Sequence, residues 1–435
     1  MNMKEVIVIG AGLAGVEAAY YLANNNVKVT LYEMRGKKQT PAHKTNKYAE
    51  LVCSNSLRSD SIDVASGALK KEMEMLNSLV IKVARNTQVE AGSALAVCRE
   101  SFSEQITKII NEHPNITVVN DEITSIDTSK NIVIATGPLT SDDLSKEIKR
   151  IFGDDDFYFF DAAAPIVTFD SINMDVAYLK SRYDKGVAAY INCPMTKEEY
   201  EKFHFELINA EEAELHDFDL KVFEGCMPVE VMAKRGRDTL LYGPLKPMGL
   251  MTPDGKKPYA VVQLRQDDAK KTLYNLVGFQ THLRYPEQKR VFRLIPGLEN
   301  AEFVKYGLMH KNTYINSPKL LNASYQSKEF NNIFFCGQMT GVEGYVESAA
   351  SGIYAGINML KHLNEEKLLV FPQETIMGSM AHYITHASKS NFQPMNANFG
   401  ILPSLEVAHK KKERKGLYGQ RAIDKLKEYM EENGF

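Results

Sequence analysis

Val6-Ile-Val-Ile9-Gly10-Ala11-Gly12-Leu13-Ala14-Gly15 decides the fold. Four β-branched residues in a row read as a short strand buried on both faces, and three glycines at fixed spacing follow at once. Val16-Glu-Ala-Ala-Tyr-Tyr-Leu-Ala23 then reads as a helix and Val27-Lys-Val-Thr-Leu-Tyr32 as a second strand, closed by Glu33. A Gly-x-Gly-x-x-Gly set between strand and helix, with an acid ending the next strand, is a dinucleotide fingerprint in its proper context. Gly10 makes the turn, Gly12 lets the backbone approach a pyrophosphate, and Gly15 lets helix and strand pack closely. The helix N-terminus favours phosphate charge and Glu33 suits the hydroxyls of an adenosine ribose.

Two distant segments complete the same unit. Asn131-Ile-Val-Ile-Ala-Thr136-Gly137-Pro138 is a buried strand ending in Ala-Thr-Gly, and Asn332-Ile-Phe-Phe-Cys336-Gly337-Gln338 is another ending in glycine. The second runs into Gly341-Val-Glu-Gly-Tyr-Val-Glu-Ser-Ala-Ala-Ser-Gly352, small enough to pack a helix tightly and aim its N-terminus at a flavin. The fold expected is α/β: a discontinuous Rossmann-like FAD-binding domain from 1–169 and 296–435, with C-terminal helices and an inserted α+β domain at 170–295. Thr136, Gly137, Gly337 and Gln338 join residues 10–15 and Glu33 as expected FAD contacts. Within the insert, Glu198 to Glu214 reads as an acidic helical piece and Tyr259 to Arg265 alternates like a half-buried strand.

Composition narrows the classes. The 435 residues carry a net charge of −3, which provides no overall field for nucleic acid or anionic lipid, so such contact needs a local basic face. No apolar run approaches a membrane span and the start lacks a signal-peptide pattern, so a cytoplasmic protein is expected. Five cysteines (Cys53, Cys98, Cys193, Cys226, Cys336) form no Cys-x-x-Cys pair, which speaks against a metal ribbon or a dithiol redox pair. No metal site is expected.

Two of these thiols stand in unusual company. Cys226, in Phe223-Glu-Gly-Cys226-Met-Pro-Val-Glu-Val-Met-Ala-Lys234-Arg235-Gly-Arg237, precedes three cations, and neighbouring cations lower a thiol pKa toward neutrality. Cys53, in Glu50-Leu-Val-Cys53-Ser-Asn-Ser-Leu-Arg58, is crowded by polar residues just beyond the first βαβ unit. For each the competing reading is a small core residue. Cys193 and Cys336 read as packing residues.

The runs Ala49 to Arg58, Phe223 to Pro228, Leu276 to Leu283, Gly341 to Gly352 and Asn391 to Gly400 together resemble the TrmFO family, the folate- and FAD-dependent tRNA uracil-5-methyltransferases, across nearly the whole chain. The resemblance implies 5,10-methylenetetrahydrofolate as carbon donor, bound FAD, NADPH or NADH as reductant, and uridine 54 of the tRNA T-loop as acceptor. It assigns Cys226 as the nucleophile that adds to uracil and Cys53 as the base that removes the C5 proton. A uridine of 23S ribosomal RNA is the alternative target. Competing classes are the related wobble-uridine enzyme MnmG (GidA), a flavin disulfide reductase, which would need a dithiol, and a non-catalytic RNA-binding paralogue. For RNA contact the nominated cations are Lys234, Arg235, Arg237, Arg265, Arg284, Lys289 and Arg290, with the run Lys410 to Lys415.

Overall fold

A computed structural model describes residues 4–40, 42–153, 157–162, 164–184, 187–213, 227–268, 270–307, 309–389, 392–407 and 409–435. Cys226 lies outside these residues. At its centre is a five-stranded parallel sheet in the order Ile333–Phe335, Ile132–Ile134, Glu5–Ile9, Lys28–Tyr32, Ile116–Val119. Val8 pairs with Leu31 on one side and Val133 on the other, all three wholly buried, which explains the run of β-branched residues. The outermost strand, Ile333–Phe335, comes from the far end of the sequence, so the sheet closes only by joining the two halves of the chain.

The glycine turn does what its spacing requires. Gly10 sits at φ +100°, and a Cβ on Gly15 would lie 1.8 Å from the Gly10 carbonyl oxygen. The helix Leu13–Asn24 therefore packs against the strand at a distance only glycine permits. The 19-residue helix Tyr345–Leu363 crosses Leu13–Asn24 equally closely, since a Cβ on Gly352 would meet the Ala14 carbonyl oxygen at 2.1 Å. Both helix N-termini thereby open onto the same end of the sheet.

The insert is built on a six-stranded antiparallel sheet in the order Tyr178–Leu179, Tyr190–Met195, Ala260–Gln266, Leu273–Leu276, Ile166–Thr168, Phe303–Lys305. Strand pairing thus carries the insert beyond the expected 170–295 at both ends, and its core runs from Ala164 to Ala301. Its acidic segment is the helix Lys197–Ile208, opened by a Thr196/Glu199 capping box. Chain entry and exit form one ladder, Phe157–Ala162 against Met309–Tyr314. No helix among the described residues is long and apolar enough to cross a membrane.

Candidate active site

Two joined cavities lie over the carboxyl ends of the parallel strands, where ligands bind in open α/β sheets. The smaller, about 70 Å³, is lined by Gly10, Gly12, Glu33, Arg35, Thr136 and Leu139 among others. The larger, about 320 Å³, shares Gly12, Thr136 and Leu139 and extends past Leu13, Ala14, Gly137, Gly337 and Gln338 to Cys53, Arg58, Tyr345 and Glu347. Gly10, Gly12, Leu13, Ala14, Glu33, Thr136, Gly137, Gly337 and Gln338, from opposite ends of the sequence, line one elongated cleft, whereas Ala11 and Gly15 are buried and line neither cavity.

The smaller end suits an adenosine. Glu33, almost fully buried, accepts hydrogen bonds from the Ala11 amide (2.9 Å) and from the Arg35 amide (3.0 Å) and Nε (2.9 Å). Burial would raise its pKa, but the Arg35 guanidinium outweighs this and keeps the carboxyl below its ordinary value. A Cβ at Gly12 would meet nothing within 4 Å, and Gly12 caps the helix Leu13–Asn24 without any side chain. Open space at an uncapped helix N-terminus is the setting a pyrophosphate needs. Gly344, which caps Tyr345–Leu363, has no side-chain cap either. The residues present along the cleft fit FAD.

In the larger cavity the peptide around Cys53 is held from both sides. The Tyr345 hydroxyl oxygen accepts the amide N–H of Cys53 (2.7 Å) and of Ser54 (3.2 Å) and lies 2.8 Å from Cys53 Sγ. With both lone pairs engaged, the hydroxyl can only donate to sulfur. Burial, reinforced by the Cys53 charge, pushes the Tyr345 pKa well above 10, so the donor keeps its proton. A hydrogen bond into sulfur favours the thiolate. On the carbonyl side, Arg99 Nη1 donates to Leu51 O (2.8 Å) and Lys305 Nζ to Val52 O (2.6 Å). Arg58, at φ +63°, reaches Glu347 Oε1 at 3.1 Å. The other described cysteines, Cys98, Cys193 and Cys336, are buried.

A family model described as "Glucose inhibited division protein A" matches residues 5–367. The methylenetetrahydrofolate--tRNA-(uracil-5-)-methyltransferase TrmFO of Bacillus subtilis is 60% identical over 429 residues, 98% of each chain. The chain belongs to the TrmFO family. Its Listeria monocytogenes relative of the same name is 59% identical over 432 residues, 99% of each chain. Among solved structures, Aquifex aeolicus GidA has a TM-score of 0.73 over 99% of this chain and 76% of that one, at 16% identity, which shows the shared flavoprotein-type fold.

The nominated cations fare differently in this TrmFO family member. Arg265 is 7% exposed, donates from Nε to Asn55 Oδ1 (3.0 Å) and from Nη2 to Ser54 Oγ (2.6 Å), and so lies at the seam between the two bodies, where it lines the larger cavity instead of the outer surface. Lys234, Arg235, Arg237, Arg284, Lys289 and Arg290 are exposed on the insert. Among the described residues Lys234 pairs with Glu212, Arg237 with Glu201, Arg284 with Glu211 (3.0 Å) and Arg290 with Glu206 and Glu287. Sequence reasoning passed over Tyr345, Arg99, Lys305 and Asn55 as site residues. Only the polar run around Cys53 hinted that a partner set was needed.

Proposed function

We propose that this chain methylates C5 of a tRNA uridine, uridine 54 of the T-loop, with 5,10-methylenetetrahydrofolate as carbon donor, FAD as bound cofactor and NADPH or NADH as reductant. The observation that carries the reading is Cys53, half-buried and hydrogen-bonded to Tyr345, in the larger cavity of a dinucleotide cleft. The names of relatives about 60% identical point the same way.

Uracil C5 is a poor carbon nucleophile, and addition of a thiolate at C6 makes it enolate-like. The adding thiol is assigned to Cys226. Cys53, poised as an acceptor by the Tyr345 hydroxyl, takes the C5 proton, and cleavage of the C6–S bond then restores the aromatic base. FAD, when bound and reduced by NADPH or NADH, would supply the two electrons that bring the transferred carbon from the methylene to the methyl level. Gly12, the N-terminus of Leu13–Asn24 and Glu33 would hold its adenosine diphosphate portion, and Gly137, Gly337 and Gln338 would border the flavin. A base within folded RNA must be flipped out to reach this cleft, at a cost of a few kcal/mol.

The test uses 5-fluorouridine-containing tRNA and methylation assays on tRNA and 23S ribosomal RNA transcripts. Cys226→Ala should lose the covalent RNA adduct, and Cys53→Ala should lose methylation but keep the adduct, because proton removal follows addition. If neither substitution affects methylation, the two-thiol mechanism is wrong. If methyl transfer occurs on the ribosomal transcript alone, the target is wrong.

A further inference from the structure

The seam between the insert and the dinucleotide-binding body converges on the peptide that carries Cys53. Asn55 binds Val97 O and Gln266 O, Arg265 binds Asn55 and Ser54, Arg99 pairs with Asp267 at 3.1 Å, and Lys305 binds Val52 O. Lys305 ends the insert's edge strand Phe303–Lys305 and reaches across to the residue before Cys53. It is half-buried, and among the described residues Nζ makes only that one hydrogen bond. Lys70 offers a contrast: it is buried and spends three donors on the carbonyls of Leu57, Ser59 and Ser66, as a structural lysine should. A latch to a single carbonyl needs no charge, and burying an ammonium for that purpose alone is wasteful.

Arg99, Lys44, Asp267 and Cys53 are among the charges that act on Lys305. Burial, then Arg99 and Lys44, lower its pKa to about 8, while Cys53 and Asp267 oppose the fall. Asp267 is bound to Arg99 and Arg265 is spent on Asn55 and Ser54, whereas Lys305 has no carboxylate partner among the described residues, and at neutral pH it is mostly charged. We propose that Lys305 is a positioning residue that stabilises Cys53 as a thiolate, so that docking of the insert is a condition for that ionisation. This rests on the reading of Cys53 as the proton-accepting base.

The experiment measures iodoacetamide alkylation of the Cys53 peptide against pH by mass spectrometry, in wild type, Lys305→Met and Lys305→Arg. An opposite charge close to a titrating group moves its pKa by about one unit or more. Lys305→Met should therefore raise the midpoint of the profile by about one unit and slow alkylation at pH 7 about tenfold. Lys305→Arg should stay within about twofold of wild type, because the cation is kept. An unchanged profile in Lys305→Met overturns the proposal, and so does an equal loss in both variants, which would mark a purely structural latch. Should Lys305→Met fail to fold, the wild-type midpoint still decides: a value at or above about 8.5, the ordinary thiol, overturns it. Failure of the underlying reading shows separately, as methylation retained by Cys53→Ala.

Discussion

Asn55→Ala is the sharpest test of how the two bodies are joined. Asn55 is wholly buried, donates to Val97 O (3.0 Å) and Gln266 O (2.9 Å), and accepts from Arg265 Nε (3.0 Å). Alanine removes two neutral hydrogen bonds, each worth about 1 kcal/mol, and orphans a buried charged donor at about 2 kcal/mol more. The expected loss is about 4 kcal/mol. At about 2.1 cal/mol/K of unfolding entropy per residue, a chain of 435 residues falls about 4–5 °C in Tm, which differential scanning calorimetry resolves. Arg290→Ala, which breaks only the exposed pairs with Glu206 and Glu287, should cost less than about 1 kcal/mol and serves as the control. If Asn55→Ala melts within about 1 °C of wild type, the bonds at the seam are not what holds it.

Two further outcomes are expected. Burial would lower the pKa of His282, but its hydrogen bonds to Glu212 and Glu230 raise it to about 9. Its folded-state value lies above the ordinary 6.5, so its stabilisation is complete below about pH 6.5 and lost as pH passes about 9. Thermal melts across that range should show the decline in wild type, and a His282→Gln protein that declines as steeply would exclude this histidine as the cause. In the run Lys410 to Lys415, changing Lys410, Lys411 and Lys412 to Ala should reduce the slope of log affinity for tRNA against log salt by roughly one unit for every phosphate these lysines neutralise. An unaltered slope places the phosphate-binding cations elsewhere.

The βαβ unit was legible because its signals are local: glycine spacing, a β-branched strand and an acid at the next strand end. The strands at Ile132–Ile134 and Ile333–Phe335 were legible for the same reason, each being a buried apolar run ending at a glycine turn. The insert's edges were not, since Ile166–Thr168 and Phe303–Lys305 are three residues each, too short for alternation to register. Arg265 looked like a surface cation because charge in a sequence does not reveal a partner such as Asn55, some 210 positions away. Tyr345 was hidden likewise. It stands in the glycine-rich run Gly341 to Gly352, yet its role depends on a hydroxyl meeting Cys53 from a distant helix. Glu201, Glu206, Glu211 and Glu212, which face Arg237, Arg290, Arg284 and Lys234, were visible as an acidic helical segment, but their pairing needed the packing of that segment against its neighbours.

The order of strands in the central sheet also bears on how the chain is made. Ile132–Ile134 leaves the ribosome about 200 residues before Ile333–Phe335, the strand that covers its open side. At bacterial rates of about 5–20 residues per second, that side stays bare for roughly 10–40 s. Three apolar residues on an unpaired edge are a template for the wrong partner. The flavin cleft likewise lacks Gly337, Gln338 and Tyr345 until translation is three-quarters complete, whereas the insert's sheet has all its strands by Lys305. Substitutions that slow the insert's folding should therefore surface as aggregation of nascent chains, and leave the finished molecules that escape it fully active.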